Sequence, residues 1–148
     1  VSDREACIDP DREAFERFKL LPRDRPIEML NLVRFREQAE YPADHPASRD
    51  RLSGAAAYKS YSRESSPIFE RVGGAIVWSA TPQMLLIGPP DERWDVAFVA
   101  RYPTAAAFLE MVVDEAYRRA VVHRQAAVET SRLLRTNPRD PEPRLAFG

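Results

Sequence analysis

The order of elements along the chain predicts an α+β fold: a ferredoxin-like, split β-α-β-β-α-β sheet with an extra helix in front of it. Two observations carry that expectation. Apolar residues recur at helical spacing in two long stretches, Leu52–Val72 and Pro103–Glu129, and strand-like runs flank each of them. The clearest of those runs are apolar on both faces, as in a sheet that is covered on both sides.

Taken in order, Asp11–Leu21 (DREAFERFKLL) places Phe15, Phe18 and Leu21 on one side of a short helix bounded by Pro10 and Pro22. Ile27–Arg36 (IEMLNLVRFR) is a strand. Ile27, Met29, Val33 and Phe35 share one face with Asn31, while Leu30 and Leu32 share the other with Glu28 and Arg34. Glu37–Arg51 is a polar loop with two prolines. Leu52–Val72 reads as a helix capped by Ser53, with Tyr58 and Tyr61 on one face. Pro67 either kinks that helix or opens a second one capped by Ser66. Gly73-Gly74 ends it.

Ala75–Ser79 and Met84–Ile87 are strand-like, as one bent strand or two, with a break near Thr81-Pro82. Asp95–Tyr102 (DVAFVARY) is the next strand. A helical stretch then runs from Pro103-Thr104 to about Glu129, broken where Asp114 can cap a second segment. Ser131–Arg135 is the last strand, and Asn137–Gly148 reads as a tail. The chain thus divides into an N-terminal helix and linker (1–26), a ferredoxin-like domain (27–136) and a C-terminal tail (137–148).

Composition narrows the class. The chain has 148 residues, the size of one domain, and a net charge of −1, which gives no overall basic field to draw it onto nucleic acid or an anionic membrane. Only Lys19 and Lys59 among the 22 basic residues are lysines, a bias associated with GC-rich bacterial genomes. Cys7 is the one cysteine, so no internal disulfide forms, and a reducing compartment is expected. No run approaches the ~18 apolar residues of a membrane helix, and the first ten residues lack a signal-peptide core. A cytoplasmic location is the expectation.

Both crossover helices of a ferredoxin-like unit pack on the same face of its sheet. The other face here is also apolar, and an exposed apolar face of several hundred Å² is rare on a monomer. A twin sheet from a second copy would cover it, giving a two-fold homodimer. The competing cover is the N-terminal helix, through Phe15 and Phe18.

The segments MLNLVRF (29–35), YKSY (58–61), RVGG (71–74), IGPPDERWD (87–95), RYPTAAAFLEMV (101–112) and YRRAVVHR (117–124), in this order and spacing, resemble the family called domain of unknown function 1330. The resemblance runs from about Ile27 to Thr136. It implies a dimeric α/β barrel, a superfamily that includes cofactor-free monooxygenases, isomerases, haem-binding proteins and ligand-binding regulatory domains. Such folds use the cleft between sheet and helices. A fold does not name a function.

Candidate site residues are polar groups on apolar faces. On a helical wheel, Arg124 falls inside the stripe formed by Tyr117, Ala120, Val121 and Val128, where a guanidinium needs an acid, a ligand anion or water. It is the candidate anchor for a carboxylate; the alternatives are a structural ion pair or a snorkelling side chain. His123 flanks the stripe and is the candidate catalytic base, against the reading of a half-buried helix histidine. Asn31, a buried amide in the first strand, needs a partner that a ligand could supply. Arg34, Tyr58 and Tyr61 complete the candidate ligand contacts, each with a plain structural alternative.

Several chemistries are excluded by what is missing. Neither a GxxxxGK[ST] nor a GxGxxG loop occurs, nor a GxSxG elbow. Two widely spaced histidines and one cysteine do not make a zinc site, and haem would have only His123 as an axial ligand. No cofactor, metal, nucleic-acid or membrane partner is expected. Two functions remain open. One is a cofactor-independent enzyme acting on an apolar or aromatic acid. The other is a ligand-binding or purely structural dimer without chemistry.

Overall fold

The computed structural model describes residues 7–145. Helix α1 (Arg12–Leu20) is capped by Asp11, whose carboxylate accepts from the Ala14 amide at 2.7 Å. Strand β1 (Ile27–Phe35) follows. Helix α2 (Gly54–Arg71) is capped by Ser53 and runs through Pro67 as one helix, which settles the alternative of a second helix capped at Ser66. It ends at Gly73, whose φ of 89° lies in the left-handed region that favours glycine. Strands β2 (Ala75–Ala80) and β3 (Val96–Tyr102), helices α3 (Ala105–Val113) and α4 (Glu115–Ala127), and strand β4 (Val128–Thr136) complete the order. Between β1 and α2 the long loop contains a single 3-10 turn, Pro46–Arg49.

The sheet is fully antiparallel, in the order β2-β3-β1-β4. This is the ferredoxin-like arrangement with one helix added in front. Asp114 terminates α3 and caps α4, accepting from the amides of Ala116 (2.8 Å) and Tyr117 (3.2 Å).

Two expectations are corrected. Met84–Ile87 is not a strand: β2 stops at Ala80, and the run lies in an exposed loop with no neighbouring strand to pair with. The last helix ends at Ala127 instead of Glu129, and β4 begins at once with Val128, fully buried and paired with Phe35. Packing of a β-branched residue under the sheet outweighs continuation of the helix there.

Register assigns the faces. Ile27, Met29, Asn31 and Val33 of β1 pair with Tyr102, Ala100, Phe98 and Val96 of β3, so these side chains share one face. That face meets the helices: Ile27, Met29, Ala100 and Tyr102 form one core with Ile68, Val72, Phe108 and Met111. Phe15 and Phe18 of α1 pack against the same core, Phe18 tilted on Phe108 with centroids 5.1 Å apart. Helix α1 therefore lies on the helical side and does not roof the opposite face. Leu30, Leu32, Val99, Trp78 and Leu134 line that opposite face, and Trp78 and Leu134 are half or more exposed.

Candidate functional site

Between the helical face of the sheet and helices α1, α2 and α4 lies a cleft of about 1300 Å³. Its sheet wall includes Met29, Asn31, Phe98, Ser131 and Leu133, its helix wall Tyr58, Tyr61, Tyr117, Val121 and Arg124, and its mouth Ile8, Asp9 and Phe15. Each polar group is placed by a simple local rule. Asn31 is on the helical face because it sits an even number of residues from Ile27, Met29 and Val33. Tyr58 and Tyr61 are one turn apart on α2, and Tyr117 and Arg124 are two turns apart on α4.

Asn31 is buried. Its amide nitrogen donates to the Met29 carbonyl at 3.0 Å. Its amide oxygen takes no hydrogen bond among the described residues, and the residue lines the cleft. Tyr61 and Tyr117 share a hydrogen bond between hydroxyls at 2.9 Å. Burial raises the phenol pKa values of Tyr58 and Tyr117 far above the ordinary range; Tyr61 nearby adds to both shifts and Arg124 offsets part of them. At neutral pH both phenols stay protonated and serve as hydrogen-bonding groups, not bases.

Arg124 contacts only neutral groups among the described residues. Its Nη1 donates to the Ile8 carbonyl and its Nη2 to the Ser131 hydroxyl at 3.1 Å. The Ser131 hydroxyl in turn donates to the Cys7 carbonyl at 2.6 Å. No carboxylate of the described residues pairs with this guanidinium.

The cleft thus brings together Asn31, Tyr58, Tyr61 and Arg124. It does not include the other two candidates. Arg34 projects from the opposite face of β1, where its Nε lies 2.8 Å from Glu129 Oε2, close enough for an ion pair though poorly aligned for N–H donation. His123 is buried on another side of α4 and is not a cleft residue. Its Nε2 is 2.5 Å from Glu64 Oε2 and its Nδ1 is 2.6 Å from the Tyr41 hydroxyl. The neutral tautomer with hydrogen on Nε2 satisfies both partners, donating to Glu64 and accepting from Tyr41. His45 stacks on Tyr41 and meets His123 edge-on at 5.4 Å. Burial, with His45 and Arg63 assisting, lowers the His123 pKa, and Glu64 opposes the shift. Imidazole, phenol and carboxylate here tie the long loop to α2 and α4.

Among the polar cleft residues not singled out from sequence are Tyr117 and Ser131. Tyr117 lay in the apolar stripe beside Arg124 and signalled only core. Ser131 is in a different element from Arg124, and no spacing rule brings them together. Among the described residues no group of three or more His, Cys, Asp or Glu side chains could hold a metal ion.

The comparisons with known proteins agree with this architecture. A structural-genomics protein of unknown function from Rhodopseudomonas palustris is 51% identical, covers 93% of this chain and 100% of its own, and superposes with a TM-score of 0.85. The methylated form of that protein gives 50% identity, 92% and 97% coverage, and the same TM-score. A cofactor-independent oxygenase from Streptomyces nogalater is 15% identical over 81% of this chain and 99% of its own, with a TM-score of 0.48. No functionally curated protein matches the chain. With residues 48–136 matching its model, the chain belongs to the family described as domain of unknown function DUF1330.

Proposed function

We propose that the cleft binds a small apolar or aromatic acid, with its carboxylate on Arg124 and its ring among Tyr58, Tyr61 and Tyr117. The observation that carries this reading is Arg124 itself. A guanidinium set among apolar and phenolic side chains, whose partners (the Ile8 carbonyl, the Ser131 hydroxyl and the Tyr58 phenol) are all neutral, has unspent charge and a planar fork suited to a carboxylate. The free amide oxygen of Asn31 offers one acceptor to a hydroxyl or amine on the ligand.

Binding without turnover fits the cleft better than acid–base catalysis. Its buried phenols hold their protons, and the one imidazole of α4 is engaged by Glu64 and Tyr41 outside the cleft. A catalytic role for His123 would require it to leave both partners.

The test is titration with 2-naphthoate, followed by its fluorescence. The native chain should bind it, and Arg124→Gln should weaken binding by about 2 kcal/mol, roughly thirtyfold, the cost of losing one charge-assisted contact. Equal affinity in both chains would remove Arg124 as the anchor. We propose further that a second copy covers the uncovered sheet face. Its exposed Trp78 and Leu134, with Leu30, Leu32 and Val99 between them, make an apolar surface that no described helix covers.

A further inference from the structure

We infer that the segment before α1, Cys7–Pro10, is a built-in strap that competes with the ligand for the anchor of the cleft. This rests on the reading of Arg124 and Ser131 as the site's polar hooks. Both hooks are already occupied, and by main chain. The Ile8 carbonyl sits on Arg124 Nη1, and the Cys7 carbonyl accepts from Ser131 Oγ at 2.6 Å. Arg124 and Ser131 are themselves joined at 3.1 Å, so two successive carbonyls cap one continuous donor pair. A carboxylate carries two acceptor oxygens on one carbon and would take the place of the two carbonyls on this donor pair.

The exchange favours the acid at the hooks. A carbonyl leaves the guanidinium charge uncompensated, whereas a carboxylate neutralises it. What holds the strap against that exchange lies away from the hooks. The Ile8 side chain packs at the edge of the cluster formed by Val33, Ala57, Ala127 and Val128. Asp9 accepts from the Gln125 amide at 3.1 Å. Neither contact uses the Arg124–Ser131 donor pair. The strap therefore sets how often the hooks stand open, and the apparent affinity of any acid is its intrinsic affinity scaled by that open fraction.

The experiment compares four full-length chains: native, Ile8→Gly, Gln125→Ala, and Ile8→Gly combined with Arg124→Gln. Each is titrated with 2-naphthoate, and circular dichroism checks that each is folded. Ile8→Gly removes the apolar tether and should tighten 2-naphthoate about tenfold, since more of the protein is open. Gln125→Ala, at an exposed contact that does not endanger the fold, should tighten it by a smaller factor. The combined variant should lose the gain. If Ile8→Gly and Gln125→Ala bind with native affinity while binding still depends on Arg124, the strap is overturned and the acid site stands. If no chain shows Arg124-dependent binding, the acid site falls and the strap, as its gate, falls with it.

Discussion

His123 and Arg124 are neighbours in sequence and belong to different parts of the molecule. One residue is 100° of helix, enough to carry Arg124 into the cleft and His123 onto the loop that holds Tyr41 and His45. The consequence for His123 is a dependence on pH. Its ordinary pKa is 6.5, and burial lowers it in the folded chain. The unfolded chain therefore takes up a proton that the folded chain resists. Its contribution to stability is complete above about 6.5 and is lost as pH falls through that value toward the lower folded pKa. Protonation also puts a hydrogen on Nδ1, where the Tyr41 hydroxyl now donates. We expect the melting temperature to fall between pH 7 and pH 5, and His123→Gln to flatten that slope, as read by thermal denaturation across the range. An unchanged slope would place the loss in other groups. The wheel position of His123 on the flank of the stripe was legible in the sequence. Which neighbour it would meet was not, because Tyr41 and Glu64 come from a loop and a helix far away along the chain.

At the scale of elements, the sequence carried most of what the structure shows. Ser53, Asp114 and Gly73 marked helix ends through their own chemistry, a hydroxyl or carboxylate for free amides and a left-handed turn for glycine. Met84–Ile87 misled because an apolar run looks the same whether or not a neighbouring strand exists to receive it. Gly54 gave no signal either, at the first turn of a helix. In the fold it is where β1, α2 and the α4–β4 junction touch. A Cβ there would lie 2.0 Å from the Arg36 carbonyl oxygen, 2.8 Å from the Arg36 nitrogen and 2.9 Å from the Ala127 carbonyl oxygen, all main chain. The Arg36 amide also donates to Ala127 at 2.8 Å in the same place. Gly54→Ala, which would ordinarily favour a helix, should instead destabilise the protein by about 2 kcal/mol or more, measured by urea unfolding. A neutral or stabilising effect would mean the three backbones part easily.

For the whole molecule, what matters is the face that α1 leaves bare. It was legible in the two-sided strands of the sequence, although the sequence left open whether α1 would cover it. Packing of Phe15 and Phe18 under the helices answers that, because one short helix cannot serve both sides. The expected result is a two-copy species in analytical ultracentrifugation. Trp78→Asp together with Leu134→Asp should convert it to one copy, since two buried carboxylates would face each other across the contact. Single-copy sedimentation of the native chain at high concentration would end the proposal.

Strand β2 is one of the two outer strands of the sheet, β4 being the other, and its pairing with β3 slips at Val77, between Ile76 and Trp78. An irregular border of this kind is a poor template for further backbone pairing. A newly arriving strand gains little foothold along it, so the pairing proposed through the bare face would not be extended past β2 into a fibre.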